Sequence, residues 1–569
     1  MRKFALCLCA MFSLLILFTK TSYAAELRRP ISPEQPMWLI HLDTWNYPDP
    51  ERIIELIPDD ILPYCVFNIS LSASDNVCIS GPNVCDSWLK ACAAKNVWCT
   101  VQCASGGHSR FSDFDLTYYE RYFNEYPNFI GWNFAEQFWG FGEEDTPTFP
   151  ERLALFGEIL KICNRYGGYL IVSFTQAEYS ADMMPIAYMK RNAIVNEQLT
   201  NHPENFICCE KYTMKRGFFE IESNCLGAYL GGYAGQYGIR FDQCGWATSD
   251  EDAEPFVTAS GAIPIMEHVM LTGETVIDGP ELIWQQDTKE TNRISTTDGY
   301  SRRNWDFFSQ FVNINIDEFR KILDGTVRIL SREEVIDRTK ICVINDLNNG
   351  NFDDYTSPAS MFHGLYRQDY DGTVNNPIAT NIWWMKKTGR YPTFPQVYGL
   401  LDETAQKLIG VKKSEYSKRW PTVDAKVAEF NKLFPQEYTG DIYAAHAENT
   451  WMTYNPYQYE HTNGTVHTSS KRAKGNIPFL YNTSESISFD YAPYSMAVMK
   501  EFSDSILLYM TNYRTTSNGG EYARQTDTVY IYGASEMPEL TWKDRAKHTA
   551  SKVVSQYENG VFKIAVTHN

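Results

Sequence analysis

The chain has no Lys/Arg-rich block, and 51 basic residues face 70 acidic ones, giving a net charge of −19. That balance leaves no electrostatic footprint for nucleic acid or anionic lipid, and it suits a neutral substrate better than a phosphorylated one. Beyond the N-terminus no apolar run reaches the roughly 18 residues of a spanning helix, so no membrane span is expected. No Gly-x-Gly-x-x-Gly turn follows the first strand-like run, which argues against a doubly wound dinucleotide-binding sheet. A Gly-x-Ser-x-Gly elbow and a His-x-x-x-His pair are also missing, which disfavours a serine hydrolase and a zinc hydrolase. Neither a cofactor nor a metal is therefore expected.

Cysteine is not scarce, but it lacks pattern. Fourteen are present, two of them in the N-terminal apolar run; Cys99 to Cys103 and the adjacent Cys208 and Cys209 match no zinc spacing. Cys65, Cys99, Cys208 and Cys342 stand within apolar strand-like runs, where a thiol behaves as a small hydrophobe. Buried thiols are the expectation for most. Residues 1–24 combine Arg2 and Lys3, an apolar run from Phe4 to Phe18 and a small-x-small end at Ser22-Tyr23-Ala24. This is the pattern of a cleaved export signal, so the mature protein is expected to be secreted or periplasmic.

What the chain has in excess is aromatic surface: 14% of residues, with 14 Trp and 36 Tyr, more than packing requires and a profile shared by carbohydrate-active proteins. The stretch from Phe129 to Gly140 concentrates it, setting Asn133, Glu136 and Gln137 among Trp132, Phe134, Phe138 and Trp139. Rings desolvate a carboxyl and raise its pKa, and they also stack on sugar faces. An isolated Glu of this kind could equally end a strand beside a basic partner.

Apolar runs alternate with amphipathic segments from Met37 onward. Strands are expected at Trp38–Leu42, Cys65–Leu71, Val97–Gln102, Phe129–Asn133, Tyr169–Phe174, Phe206–Lys211, Ile239–Gln243 and Thr275–Ile277. Helices are expected between them, including Glu151–Tyr166, Ile186–Glu197, Asn224–Tyr237 and Ile263–Met270, with a last one at Trp305–Leu323. Eight strand-helix units in about 290 residues are the count and length of a (β/α)8 TIM barrel, an α/β fold. Helical segments are expected through Ala405–Phe434, and from about residue 436 short alternating strands indicate an all-β sandwich. The expected division is a signal at 1–24, a barrel with its extension at 25–435, and a β-sandwich at 436–569. The sandwich could bind glycan or simply buttress the barrel.

Barrel chemistry gathers where the strands end. Glu136, Asp242 and Glu281 stand at the ends of the fourth, seventh and eighth strands, and a glycosidase needs one carboxylic acid and one carboxylate acting as base or nucleophile. His41, Asp43, Trp45, His108, Trp132, Asn133, Trp139, Lys211, Trp246 and Trp284 are the candidate substrate contacts on the same rim. Asp278, just before Gly-Pro, reads as either a weaker candidate or a turn former.

The run Met37 to Asn46, the loop Ala104-Ser105-Gly106-Gly107-His108, the stretch Gly131 to Gly140 and the run Asp278-Gly279-Pro280-Glu281-Leu282-Ile283-Trp284 resemble glycoside hydrolase family 98 over nearly the whole mature chain. The resemblance implies an inverting endo-β-1,4-glycosidase, with Glu136 as general acid and Asp242 and Glu281 as the pair activating water. It also implies an oligosaccharide or polysaccharide substrate, either a blood-group glycan cut by endo-β-1,4-galactosidase action or a decorated xylan cut by endo-β-1,4-xylanase action. A glycan-binding protein without activity is the alternative of another class.

Overall fold

The computed structural model of the chain describes residues 24–43, 49–71, 81–109, 111, 115–137, 141, 146–174, 185–212, 218–241, 266–279, 294–295, 301–302, 316–346, 364–365, 386, 388–399, 405–457, 459–462, 465–468, 470–512, 525–544 and 551–568. Eight parallel strands form its N-terminal half: β1 Met37–Asp43, β2 Cys65–Ser70, β3 Trp98–Ser105, β4 Phe129–Gln137, β5 Tyr169–Phe174, β6 Phe206–Tyr212, β7 Gln236–Phe241 and β8 Val276–Asp278. Each pairs with the next, and β8 pairs with β1, so the sheet closes into the expected barrel. Parallel strands covered by helices are apolar on their outer faces, which is why short apolar runs located them.

Residues alternate across the barrel wall. Leu39, Val66, Ile130, Ile171, Ile207 and Val276 fill the lower bore, while Trp38, Phe67, Val101, Trp132 and Phe134 pack outward against the helices. Gly131 sits where β4 slips register against β3; a Cβ there would stand 2.1 Å from the carbonyl oxygen of Tyr169, so no larger residue fits.

The helix Phe149–Tyr166 starts in a capping box between Thr148 and Glu151 and stops at Gly167, whose φ of 70° is left-handed. Two expected helices are corrected. The segment read as Ile186–Glu197 is split into Pro185–Met189 and Ala193–Asn201, because the Asn192 side chain accepts from the backbone of Ile194 and Val195 and starts a new helix. The segment read as Asn224–Tyr237 is Phe218–Leu230: the chain turns at Gly231 and Gly232, and Tyr237 already belongs to β7. A π-helical turn, His268–Thr272, occupies the last part of the segment read as Ile263–Met270.

After the barrel, Ile341–Ile344 pairs in parallel with Gln396–Val397 and with Ile409–Lys412. The latter strand interrupts the run expected to be helical, confining regular helix there to Tyr416–Arg419 and Val423–Leu433. Two antiparallel sheets follow, one of six strands and one of four. The four-stranded sheet is apolar on both faces. Trp451, Ala497 and Met499 meet Ile487, Phe489, Val529 and Phe562 of the other sheet. Tyr443, Met452, Tyr454, Met496 and Val498 belong instead to the core that continues into the barrel. This is the packing of a buttress. Among the described residues no helix is long and apolar enough to cross a membrane.

Candidate active site

Glu136 ends β4 in a conformation that its neighbours hold in place. The register against β5 slips between Phe134 and Gln137, and Glu136 takes φ 52°, a left-handed value that costs a non-glycine residue about 1–3 kcal/mol. The Gln137 side chain donates to the carbonyls of Ala135 and Gly106, at 2.7 and 3.0 Å. Its own oxygen accepts from Arg152 Nη1 at 2.7 Å, and the same buried guanidinium donates to the carbonyls of Gly106 and Gly107 at 3.2 Å each. Gly106 and Gly107 turn β3 back into a two-residue strand, His108–Ser109, so Arg152 ties that hairpin to the bulge. Ser105 Oγ completes the arrangement by donating to Glu136 Oε2 at 2.7 Å. The result is a half-buried carboxylate fixed at the C-terminal end of the barrel.

Below it, the bore turns polar. Arg240 Nη1 donates to Asp278 Oδ2 and to Gln102 Oε1, both at 2.7 Å, and Asn133 Nδ2 donates to the same Asp278 oxygen at 3.1 Å. Asn68 Nδ2 lies 3.3 Å from His41 Nδ1, Thr100 Oγ1 donates to Asn68 Oδ1, and Gln102 Nε2 donates to Ser70 Oγ. His41 Nδ1 stands 3.9 Å from Asp278 Oδ1, a charge contact rather than a hydrogen bond. Burial alone would push the Asp278 carboxyl up, but Arg240, and after it His41 and Asn133, hold it down at about 2. Asp278 is thus a buried anion and not a turn former.

The candidate contacts divide. His41 and Asn133 face the bore within this polar layer, fully buried, and His108 is exposed on the hairpin. Trp132 is a correction: it is fully buried on the outer face of β4, packs on Tyr119, Tyr122 and Phe129, and donates Nε1–H to the Tyr119 carbonyl. Alternation along a strand forces this, because Asn133 beside it points inward. The ring therefore supports a helix and is out of reach of a sugar. Asp43 and Lys211 lie at the ends of β1 and β6, and only their backbones are described. Asp242, Glu281, Trp45, Trp139, Trp246 and Trp284 lie outside the described residues. Arg152, Gln102 and Asn68 escaped the sequence reading, although a lone Arg on the apolar face of a helix and polar residues at alternate strand positions are both signals that could have found them.

A second buried cluster faces away from the bore. Glu210, Glu222 and His268 bring ligand atoms within 4.8 Å of one another, as a cation site would. The set already contains its own cations: His268 Nε2 is 2.7 Å from Glu210 and 3.3 Å from Glu222, while Lys386 Nζ is 3.0 Å from Glu222 and 2.7 Å from Glu267. Burial would lower the His268 pKa, but Glu210 and Glu222 raise it well above the usual imidazole value, so the ring is held as a cation. This is an ion network of three carboxylates and two cations that joins β6 to the elements behind it, and Tyr443 of the four-stranded sheet donates into it at 3.3 Å through Glu267.

A closed parallel barrel that presents a fixed carboxylate beside its strand ends, above a polar bore, has the architecture of a barrel glycosidase. The comparisons make the class specific. Residues 25–328 match the model of glycosyl hydrolase family 98 and residues 332–569 match that of the family's C-terminal domain, so the chain belongs to glycosyl hydrolase family 98. A blood-group-substance endo-1,4-beta-galactosidase of Clostridium perfringens is 23% identical over 578 residues, covering 94% of this chain and 66% of that protein, so the chain spans about two-thirds of that relative's length. The catalytic module of a family 98 glycoside hydrolase from Streptococcus pneumoniae superposes with a TM-score of 0.71 at 18% identity, covering 96% of this chain and 99% of the other. The same module in complex with the H-disaccharide blood group antigen gives 0.72, and its complex with the LewisY pentasaccharide antigen gives the same value.

Proposed function

We propose that the chain is an exported, inverting endo-β-1,4-glycosidase, and first an endo-β-1,4-galactosidase releasing blood-group-type oligosaccharides. The observation that carries the reading is Glu136, half-buried, set by a strained bulge and hydrogen-bonded by Ser105 at the end of β4. Strain kept at one carboxylate by a dedicated set of bonds is typical of a working group. Glu136 then protonates the glycosidic oxygen while Asp242 and Glu281 orient and deprotonate a water on the opposite face of the sugar. Two acids beside one water can share a proton, so they act as a pair. An acid-to-base separation of about 6.5–9.5 Å is the gap that such a water requires. The galactoside choice draws on the named activity of the Clostridium perfringens relative and on the antigen complexes of the Streptococcus pneumoniae module. Export draws on the leader pattern at residues 1–24, and the working division is a catalytic part to residue 435 carried on a sandwich from 436.

The test incubates the protein with type 2 A- and B-antigen glycans and, separately, with glucuronoarabinoxylan, followed by product chromatography and anomeric NMR. Release of an antigen oligosaccharide whose first anomer is α supports the proposal. Xylan products alone would move the substrate, a β anomer would replace inversion by retention, and binding without cleavage of either would leave a lectin. Glu136→Gln is expected to keep binding and to lose about 10²–10⁴-fold in turnover.

A further inference from the structure

One buried ion pair gathers strands from opposite sides of the barrel. The Arg240 guanidinium on β7 reaches Asp278 on β8 and Gln102 on β3, and the Asp278 carboxylate also accepts from Asn133 on β4. Both charged side chains are 1% exposed. A pair buried this deeply adds little stability over apolar packing, because desolvating two charges offsets their attraction. The layer beneath shows that apolar side chains fill the same bore readily. What the pair supplies is geometry: one nitrogen of a rigid, planar guanidinium, Arg240 Nη1, that donates to two strands, and a carboxylate oxygen, Asp278 Oδ2, that accepts from β7 and from β4.

The strands it joins are the ones the chemistry uses. Asn133 stands three residues before Glu136, and Gln102 three before Ser105, whose hydroxyl holds the Glu136 carboxylate. Arg240 and Asp278 lie near the ends of β7 and β8, after which come the other two carboxylates of the proposed mechanism. Among the described residues, the side-chain bonds from β4 and from β7 meet on one oxygen of β8, Asp278 Oδ2, which accepts from both. We infer that Arg240 and Asp278 are positioning residues that set the distance between the acid strand β4 and the facing strands β7 and β8, and with it the gap in which the attacking water stands. This rests on Glu136 being the general acid.

The test uses the full chain carrying Arg240→Lys or Asp278→Asn, with Glu136→Gln alongside. Lys keeps the charge, but its flexible stem lacks the rigid planar group that fixes Arg240 Nη1 between Gln102 and Asp278; Asn keeps the shape and one acceptor but removes the charge. A displacement of about 1 Å at reacting groups costs about 10²-fold. Both variants are therefore expected to lose about 10²-fold in kcat with KM within about threefold of native. An activated aryl glycoside, whose leaving group needs no proton, should restore Glu136→Gln but neither of these two, since the water side is displaced as well. Folded variants with native kcat overturn the inference, as does a raised KM at unchanged kcat, or recovery on the activated substrate equal to that of Glu136→Gln. If the native chain cleaves no glycan, the functional reading fails by itself. Positioning is then decided by crystal structures: a shift of about 1 Å between the ends of β4 and β8 in Asp278→Asn supports it, and superposable strand ends overturn it.

Discussion

Arg152 is the residue whose replacement tests most directly how Glu136 is held. Its guanidinium makes three donations that converge on the bulge and the hairpin, to Gln137 Oε1 at 2.7 Å and to the Gly106 and Gly107 carbonyls at 3.2 Å. It also lies over the rings of Phe134 and Phe141, 5.2 and 5.3 Å from their centroids. Lys preserves the charge and part of the ring contact, but a single ammonium at the end of a thinner stem cannot serve both nitrogens' targets. Hydrogen bonds to charged groups contribute about 1.5–3 kcal/mol each, so losing two of the three lowers stability by about 3–6 kcal/mol. Arg152→Met should cost at least as much, because all three acceptors then lose the guanidinium. Urea denaturation followed by tryptophan fluorescence measures the first quantity, and initial rates on the preferred glycan measure the second. On the proposed role of Glu136 as general acid, a loosened bulge misaims it, so kcat should fall about tenfold or more in Arg152→Lys while KM changes little; each tenfold corresponds to about 1.4 kcal/mol of barrier. An Arg152→Lys protein that unfolds at the native midpoint and turns over at the native rate would refute the reasoning, since the bonds would then be neither stabilising nor positioning.

Other outcomes follow from the same geometry. Ser105→Ala removes one hydroxyl donor to Glu136, so stability in urea should fall by about 1 kcal/mol or less and kcat about three- to tenfold; an unchanged kcat means the bond does not serve turnover. Trp132→Ala should lower stability by about 3–5 kcal/mol and leave KM within about twofold; a raised KM at native stability would return the ring to the sugar. Acid should unfold the protein through Asp278 and Glu222, both held at about 2; burial would raise Glu222, but Lys386 and His268 outweigh it. A carboxyl depressed in the folded state stabilises above its unfolded pKa, near 4, and that contribution disappears as pH falls through its folded value. Thermal midpoints should therefore drop steeply between about pH 4.5 and 2, and a flat profile across that range contradicts the two assignments.

The barrel was legible because parallel strands packed on both faces leave continuous apolar runs, and counting them placed Glu136 fourth. Helix ends were less so: Tyr233, Ala234 and Tyr237 continue an apolar rhythm across the Gly231-Gly232 turn, and periodicity alone cannot see the break. Trp132 and Asn133 were both assigned to the cleft, although neighbours on a strand point to opposite faces, so one of them had to be wrong. Asp278 looked like a turn because Gly-Pro follows it, while the partner that makes it an anion, Arg240, is 38 residues away in sequence. Arg152 had a local signal, its place on the apolar face of its helix in line with Leu155, Phe156 and Ile159, but the groups it closes over, Gly106, Gly107 and Gln137, lie on other elements and are not read from the helix itself.

The cysteines offer a use of a different kind. Cys65, Cys85, Cys92, Cys99, Cys103, Cys163, Cys208, Cys209, Cys225 and Cys342 are all free and buried, and no disulfide occurs among the described residues. Burial raises the pKa of most of them, for instance Cys65, Cys163 and Cys209, which leaves little thiolate to react while the fold is closed. Alkylation should then wait for local opening, and each modified site reports where the opening occurred. Five of these reporters lie on barrel strands, four on the helices around them and one, Cys342, on the parallel sheet that follows. Timed labelling read by mass spectrometry would thus give an internal map of the order in which this barrel comes apart, without a single introduced probe.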